Sequence, residues 1–120
     1  MLRTKPPQNT DKYSWTNHSM RKMAHYGLSP ARVLRVIRNP DRMEKGIAPE
    51  TLAAMQKVRT SKKPNEIWVM WAEHKKKKSK IGLPSKIIIT AWRYPGISPV
   101  RETIPIPADI VEELKREGLV

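Results

Sequence analysis

The sequence predicts an α+β fold, in which two N-terminal helices pack on an antiparallel sheet of roughly three strands and a short C-terminal helix follows. Residues 18–38 place apolar side chains at helical spacing. Residues 66–73 and 86–93 are rich in β-branched and aromatic side chains, which favour strands. Residues 108–117 return to helical spacing. These three observations define the expected fold class.

The length of the chain indicates one domain. A chain of 120 residues is long enough to bury a core of its own, and we assign residues 14–120 to that domain. Residues 1–13 contain no apolar run and are expected to form a disordered basic arm. The chain has no Phe, so the core is expected to consist of Ile, Val, Leu, Met and the four Trp.

Local signals set the bounds of the two N-terminal helices. The first is expected at residues 18–26, because Gly27 readily adopts the left-handed conformation that ends a helix. Ser29 followed by Pro30 predicts an N-cap and the first turn of a second helix, which runs to about residue 38. The residues expected to face the core are Val33, Leu34 and Ile37, with Val36 at the margin.

The predicted sheet centres on a hairpin formed by residues 66–73 and 86–93. The polar loop between them contains Gly and Pro, and its five lysines form either a solvated tip or an arm along a phosphate backbone. Residues 49–59 are compatible with a helix or a third strand, and we favour the strand. Proline-rich residues 94–107 are expected to be extended. Gly118 ends the predicted C-terminal helix.

The charge distribution predicts a polyanionic partner. The chain carries 24 Lys and Arg against 11 Asp and Glu, a formal net charge of +13. Residues 102–120 hold five acidic and two basic residues, so the positive excess lies in residues 1–101. A field of this size attracts polyanions and makes binding depend strongly on salt. We therefore expect RNA or another nucleic acid as the partner, rather than a membrane surface.

Several chemistries are disfavoured by composition and motifs. Without Cys the chain has no disulfide and no thiolate ligand, which is typical of a cytoplasmic protein. No segment approaches the roughly 20 apolar residues of a membrane span. His74 lacks the partners of a known metal motif, and no phosphate-binding or nucleotide-binding glycine motif occurs. We therefore expect no metal and no cofactor.

The first predicted helix carries the strongest functional signal. A helical wheel separates a polar face from an apolar face that contains Met20 and Met23. The polar face holds His18, Arg21, Lys22 and His25. Histidine transfers protons near neutral pH, and fixed cations stabilise a crowded phosphate. Such a face suits phosphate chemistry, although it is also compatible with an ordinary basic surface.

Two stretches of the chain resemble a known family. Residues 18–42, HSMRKMAHYGLSPARVLRVIRNPDR, contain a histidine, a basic-Met pair, a glycine turn and a Ser-capped helix that ends in Asn-Pro. Together with IIITAWRYPG at residues 87–96, this pattern resembles a widespread prokaryotic family of small uncharacterised domains. That family is grouped with the RelE-like and BrnT-like toxin folds, and the resemblance covers roughly residues 18–96.

The resemblance implies metal-independent RNA cleavage by a toxin of a toxin–antitoxin system. By position, His18 matches the family histidine, and Arg93 lies at the end of the last strand. Lys22 and Tyr26 stand where the family usually has arginine. We take His18 and Arg93 as candidate catalytic residues at the rim of the domain. The candidate substrate-binding residues are Arg21, Lys22, His25, Arg32, Arg35, Arg38, Trp92 and Tyr94, of which Trp92 and Tyr94 form either a base-stacking platform or part of the core.

The predicted function is therefore RNA binding, with toxin-like endoribonuclease activity. Two alternatives remain open from the sequence. One is a non-catalytic nucleic-acid-binding or regulatory module. The other is a basic interaction protein that docks an acidic partner, such as an antitoxin.

Overall fold

A computed structural model of the chain describes residues 6–78, 82, 84–100 and 103–120. This part of the chain forms three helices and five strands, in an α+β arrangement. In chain order they are β1 (Tyr13–Trp15), α1 (Asn17–Tyr26), α2 (Pro30–Arg38), β2 (Arg42–Lys45), β3 (Thr51–Lys57), β4 (Asn65–Lys78), β5 (Pro84–Pro95) and α3 (Ala108–Arg116).

The sheet is mixed and has five strands in the order β1-β5-β4-β3-β2. The prediction of a roughly three-stranded antiparallel sheet is correct only for its centre, since β1 pairs with β5 in parallel. The two missed strands are short edge strands of three and four residues. The sequence of β2, RMEK, has one apolar residue and gives no alternating signal.

The two predicted N-terminal helices are confirmed, and their ends carry the predicted capping residues Gly27 and Ser29. Thr16 and Ser29 accept hydrogen bonds from the first turns of α1 and α2, and Gly27 has a φ of 67° at the end of α1. In α2, however, Val36 is fully buried beside Val33, whereas Leu34 and Ile37 are only partly buried. The placement of Val36 at the margin was therefore wrong. The strand at 49–59 is confirmed as β3.

The hairpin between β4 and β5 is longer than predicted. β4 continues to Lys78 and β5 begins at Pro84, so most of the predicted lysine loop has strand backbone. Residues 79–81 and 83 lie outside the described residues, and so does the Lys80 end of the lysine segment. Residues 1–5 of the predicted N-terminal arm also lie outside them. Within the arm, Asn9 accepts a hydrogen bond from the backbone of Trp15 at 3.0 Å.

Both faces of the sheet are covered by apolar side chains. On one face, α1 and α2 pack against residues such as Val69 and Ile88. On the other face, Ile110 and Leu114 of α3 pack against Trp68 and Trp92. Because both faces are buried, the centres of β4 and β5, at residues 67–72 and 87–92, are apolar almost continuously rather than in alternation.

A buried carboxylate fixes the segment that follows β5. Glu66 is 1% exposed, and its side chain accepts hydrogen bonds from Trp68 Nε1 at 3.0 Å and from Ser98 Oγ at 2.6 Å. Arg42 on β2 donates to the same Ser98 hydroxyl at 2.9 Å. This network holds Ser98 against the sheet.

Helix α1 lies along an edge of β5. β1 pairs only with residues 86–88 of β5. Just beyond them, Thr16 Oγ1 donates to the carbonyl oxygen of Ile89 at 2.9 Å. At the other end of α1, Arg93 donates to the carbonyl oxygen of Tyr26 at 3.2 Å. The helix therefore covers the part of the edge that β1 leaves unpaired.

Among the described residues, no helix is long and apolar enough to cross a bilayer.

Candidate nucleic-acid interface

A basic cleft opens where α1 ends and α2 begins. Its volume is about 990 Å³. The walls come from the turn between the two helices, the exposed side of α2, the ends of β3 and β5, and the start of β4. The charged lining consists of Arg32, Arg35, Lys57, Arg59 and Arg93, with Asp41 as the acidic member.

Neutral oxygen atoms orient two of these arginines. Arg32 Nη1 donates to Gln56 Oε1 at 2.5 Å. Arg93 donates to Asn65 Oδ1 at 3.1 Å and to the carbonyl oxygen of Tyr26 at 3.2 Å. Amide and carbonyl oxygens fix the direction of a guanidinium group without neutralising its charge. The two side chains are thus held in place while their full positive charge is retained.

The arginines of the cleft repel one another. Burial lowers the pKa of Arg32 below its usual value, and the charges of Arg35 and Arg93 lower it further. In the described part of the chain, none of these three guanidinium groups forms an ion pair with a carboxylate. Repulsion between like charges in a partly buried cleft raises the free energy of the protein without a ligand. A bound anion would offset this repulsion.

The acidic residue of the cleft, Asp41, forms hydrogen bonds with residues other than the three arginines on α2 and β5. Asp41 accepts hydrogen bonds from the backbone N–H of Lys57 at 2.8 Å and from Arg59 at 3.0 Å. The Lys57 bond is the main reason that the pKa of Asp41 lies below its usual value. The Asp41 carboxylate therefore stays ionised and bound to Lys57 and Arg59 at the margin of the cleft. It does not neutralise the charges of Arg32, Arg35 and Arg93.

His18 does not lie in this cleft. It is 1% exposed, so the expectation that it lies at the rim of the domain is wrong. Its Nε2 lies 2.9 Å from Thr90 Oγ1, and its Nδ1 lies 3.1 Å from Glu117 Oε2. Because Tyr26 follows His18 by eight residues on α1, the two ends of the helix are about 12 Å apart. The structure does not bring His18 and Arg93 into one site.

The environment of His18 is a polar network between α1 and α3. Burial lowers the pKa of His18, although the neighbouring Glu117 acts in the opposite direction. Lys22 pairs with Glu113 at 2.8 Å and Arg21 pairs with Glu117 at 2.6 Å. The bond from Arg21 lowers the pKa of Glu117, which keeps that carboxylate ionised.

The remaining predicted substrate-binding residues are dispersed. His25 is exposed and packs edge-on against the Tyr26 ring. Arg38 is exposed and lies over the Tyr13 ring at 5.9 Å. Trp92 is fully buried and stacks on Trp68 at 5.9 Å, so it belongs to the core and presents no face to a base. Tyr94 is partly buried against the same cluster.

Of the predicted site residues, Arg32, Arg35 and Arg93 meet in the cleft. Sequence reasoning missed Lys57, Arg59 and the orienting side chains Gln56 and Asn65. These four residues lie on β3, at the start of β4 and in the loop between them, and no local motif marks them. Their role becomes visible only when the sheet brings that hairpin beside α2.

Comparisons with known proteins give no assignment: no family model, no curated protein and no solved structure matches the chain.

Replacement of His18 by Ala is expected to lower the free energy of unfolding by about 2 kcal/mol, because it leaves the Thr90 hydroxyl and the inner carboxylate oxygens without a buried partner. His25→Ala, at an exposed site on the same helix, serves as the control and is expected to change stability by less than about 0.5 kcal/mol. Urea unfolding followed by circular dichroism measures both variants. Equal stabilities of the two variants would contradict the buried network.

Proposed function

We propose that this protein binds RNA through the basic cleft, with Arg32, Arg35 and Arg93 contacting backbone phosphate. The observation that carries this proposal is the set of three neighbouring guanidinium groups, two of them oriented by neutral oxygens and none paired with a carboxylate in the described structure. Guanidinium groups match the geometry of phosphate oxygens and bind them with two parallel hydrogen bonds. A phosphate would thus supply the missing counter-charge.

The charge of the whole chain supports a polyanion over a single small anion. The formal net charge is +13, and basic residues extend beyond the cleft along the exposed side of α2, where Arg38 follows Arg35. A chain of phosphates can contact several of these residues at once and release counterions from each contact. RNA is preferred over DNA because the sequence resembles domains that are grouped with RNA-cleaving toxins.

The binding proposal predicts that Arg35→Gln weakens the affinity for a single-stranded oligoribonucleotide by about tenfold, since one charge-assisted contact is lost. The slope of log affinity against log salt, measured by fluorescence anisotropy between about 50 and 200 mM, should fall by about one unit. Arg35 is the best position for this test because it is exposed and makes no side-chain hydrogen bond in the described structure.

Arg116→Gln on α3 is the matched control, because it removes the same charge from an exposed position outside the cleft. It is expected to weaken binding less than twofold. Equal losses for the two variants would show that only the overall charge matters. Affinity that does not respond to salt would overturn the electrostatic proposal.

A second candidate function, RNA cleavage, is favoured by the same convergence of arginines. During attack by the 2′-hydroxyl group, negative charge accumulates on the phosphate, and guanidinium groups held at fixed positions stabilise that charge. We propose that Arg93 serves this role, because its two hydrogen bonds hold it in position at the end of β5. His18 has no part in this proposal, since it is buried and lies about 12 Å along α1 from Tyr26, whose carbonyl oxygen holds Arg93.

Cleavage of single-stranded RNA by the purified protein should leave 2′,3′-cyclic phosphate ends, because the 2′-oxygen attacks the phosphorus as its proton passes to water, and the 5′-oxygen leaves with a proton from water. The activity should persist in EDTA, because no part of this step uses a metal ion. Arg93→Gln is expected to reduce the rate by about a hundredfold, whereas Arg116→Gln should leave it unchanged. Product ends are identified by mass spectrometry. RNA that stays intact with the wild-type protein would exclude cleavage and leave the binding function.

A further inference from the structure

Three metal-ligating atoms meet where the start of α1 faces the end of α3. His18 Nδ1 lies 3.1 Å from Glu117 Oε2 and 3.4 Å from Glu113 Oε2. All three atoms lie within 4.8 Å of one another. This group shares no residue with the lining of the basic cleft, so it calls for an explanation separate from the proposed RNA binding.

The spacing of these atoms fits a tetrahedral ion. Zinc binds imidazole nitrogen and carboxylate oxygen at about 2.0–2.2 Å, which places neighbouring ligand atoms about 3.4 Å apart. The two distances from His18 Nδ1, 3.1 and 3.4 Å, are close to that value. An ion can therefore contact all three atoms after small movements of the side chains, without a change in the packing of α1 and α3.

Outer hydrogen bonds hold each ligand in a ligating orientation. Lys22 binds Oε1 of Glu113 and Arg21 binds Oε1 of Glu117, so the Oε2 atom of each carboxylate is left to face His18. On the other side of the imidazole ring, Nε2 lies 2.9 Å from the Thr90 hydroxyl. Metal sites characteristically hold their imidazole and carboxylate ligands by such contacts.

The two carboxylates also provide access from solvent. The His18 side chain is fully buried, but the side chains of Glu113 and Glu117 are 27% and 33% exposed. A surface hollow of about 400 Å³ lies over them, bounded by Arg21, Lys22 and Arg116. An ion can enter from this hollow, and a water molecule there can complete the coordination.

We propose that His18, Glu113 and Glu117 bind a divalent transition-metal ion, with Zn²⁺ as the preferred ion. An imidazole nitrogen among the ligands favours zinc over magnesium and calcium, which prefer sites made only of oxygen. The bound ion would link α1 on the β5 edge to α3 on the opposite face of the sheet. It would stabilise the fold rather than act on RNA.

Isothermal titration of the metal-stripped full-length protein with ZnCl₂ tests this site. One Zn²⁺ per chain should bind with a dissociation constant in the micromolar range or below, and MgCl₂ should give no saturable heat. Glu113→Gln and Glu117→Gln should each weaken Zn²⁺ binding by at least tenfold. Glu112→Gln, the same charge change at the exposed neighbouring position, should leave the affinity within twofold of wild type.

Circular dichroism checks whether each variant is folded, and the melting temperature provides a second measurement. Saturating Zn²⁺ should raise the melting temperature of the wild type and of Glu112→Gln, but raise it less in the other two variants. The proposal is overturned if the wild type takes up no zinc, or if all three variants bind it equally. These results are independent of RNA binding, since none of the variants alters the cleft.

Discussion

The placement of α1 along the β5 edge is the constraint on which the rest of the molecule depends. β1 forms strand pairs with only three residues of this edge. Beyond them α1 covers the edge, with a hydrogen bond from Thr16 at its start and one accepted by the Tyr26 carbonyl oxygen at its end. An uncovered edge would be open to pairing with other chains. Because α1 lies at the margin of the sheet, its start meets α3 and its end meets α2 and the cleft. Two polar sites result, at opposite ends of one helix.

The cleft at the end of α1 keeps a high positive charge, and the repulsion between its arginines lowers the stability of the fold. A carboxylate beside Arg32 or Arg93 would remove the repulsion, yet the chain places the amides Gln56 and Asn65 there. These amides fix the geometry and leave the positive potential intact. Sites that leave buried charges without an opposite charge are commonly functional, and packing elsewhere in the protein offsets the stability that they lose. Here the apolar clusters on the two faces of the sheet supply that packing.

Local signals account for the parts of the fold that the sequence predicted. Gly27 and Ser29 mark helix ends by their own backbone and side-chain chemistry, and the apolar runs of β4 and β5 mark buried strands. β2 pairs with the neighbouring strand β3, but its four residues include only one apolar side chain and show no alternation. β1 carries no local signal, because it pairs with residues 86–88, far along the chain. The same reason explains His18: its partners Glu113 and Glu117 are remote in sequence, and nothing local distinguishes a buried histidine from one on a basic surface. The sequence analysis predicted Arg32, Arg35 and Arg93 as site residues, but only the tertiary structure shows that they lie together in one cleft.

In the proposed complex, RNA phosphate lies against the arginines of the cleft. Side-chain Nε–Hε resonances of an isotope-labelled sample, followed by NMR while a single-stranded oligoribonucleotide is added at low salt, test it at the level of individual residues. The signals of Arg32, Arg35 and Arg93 should shift together and saturate at one stoichiometry, while that of Arg116 should stay in place. Shifts at Arg116 or Arg21, with the three cleft arginines unchanged, would contradict the account.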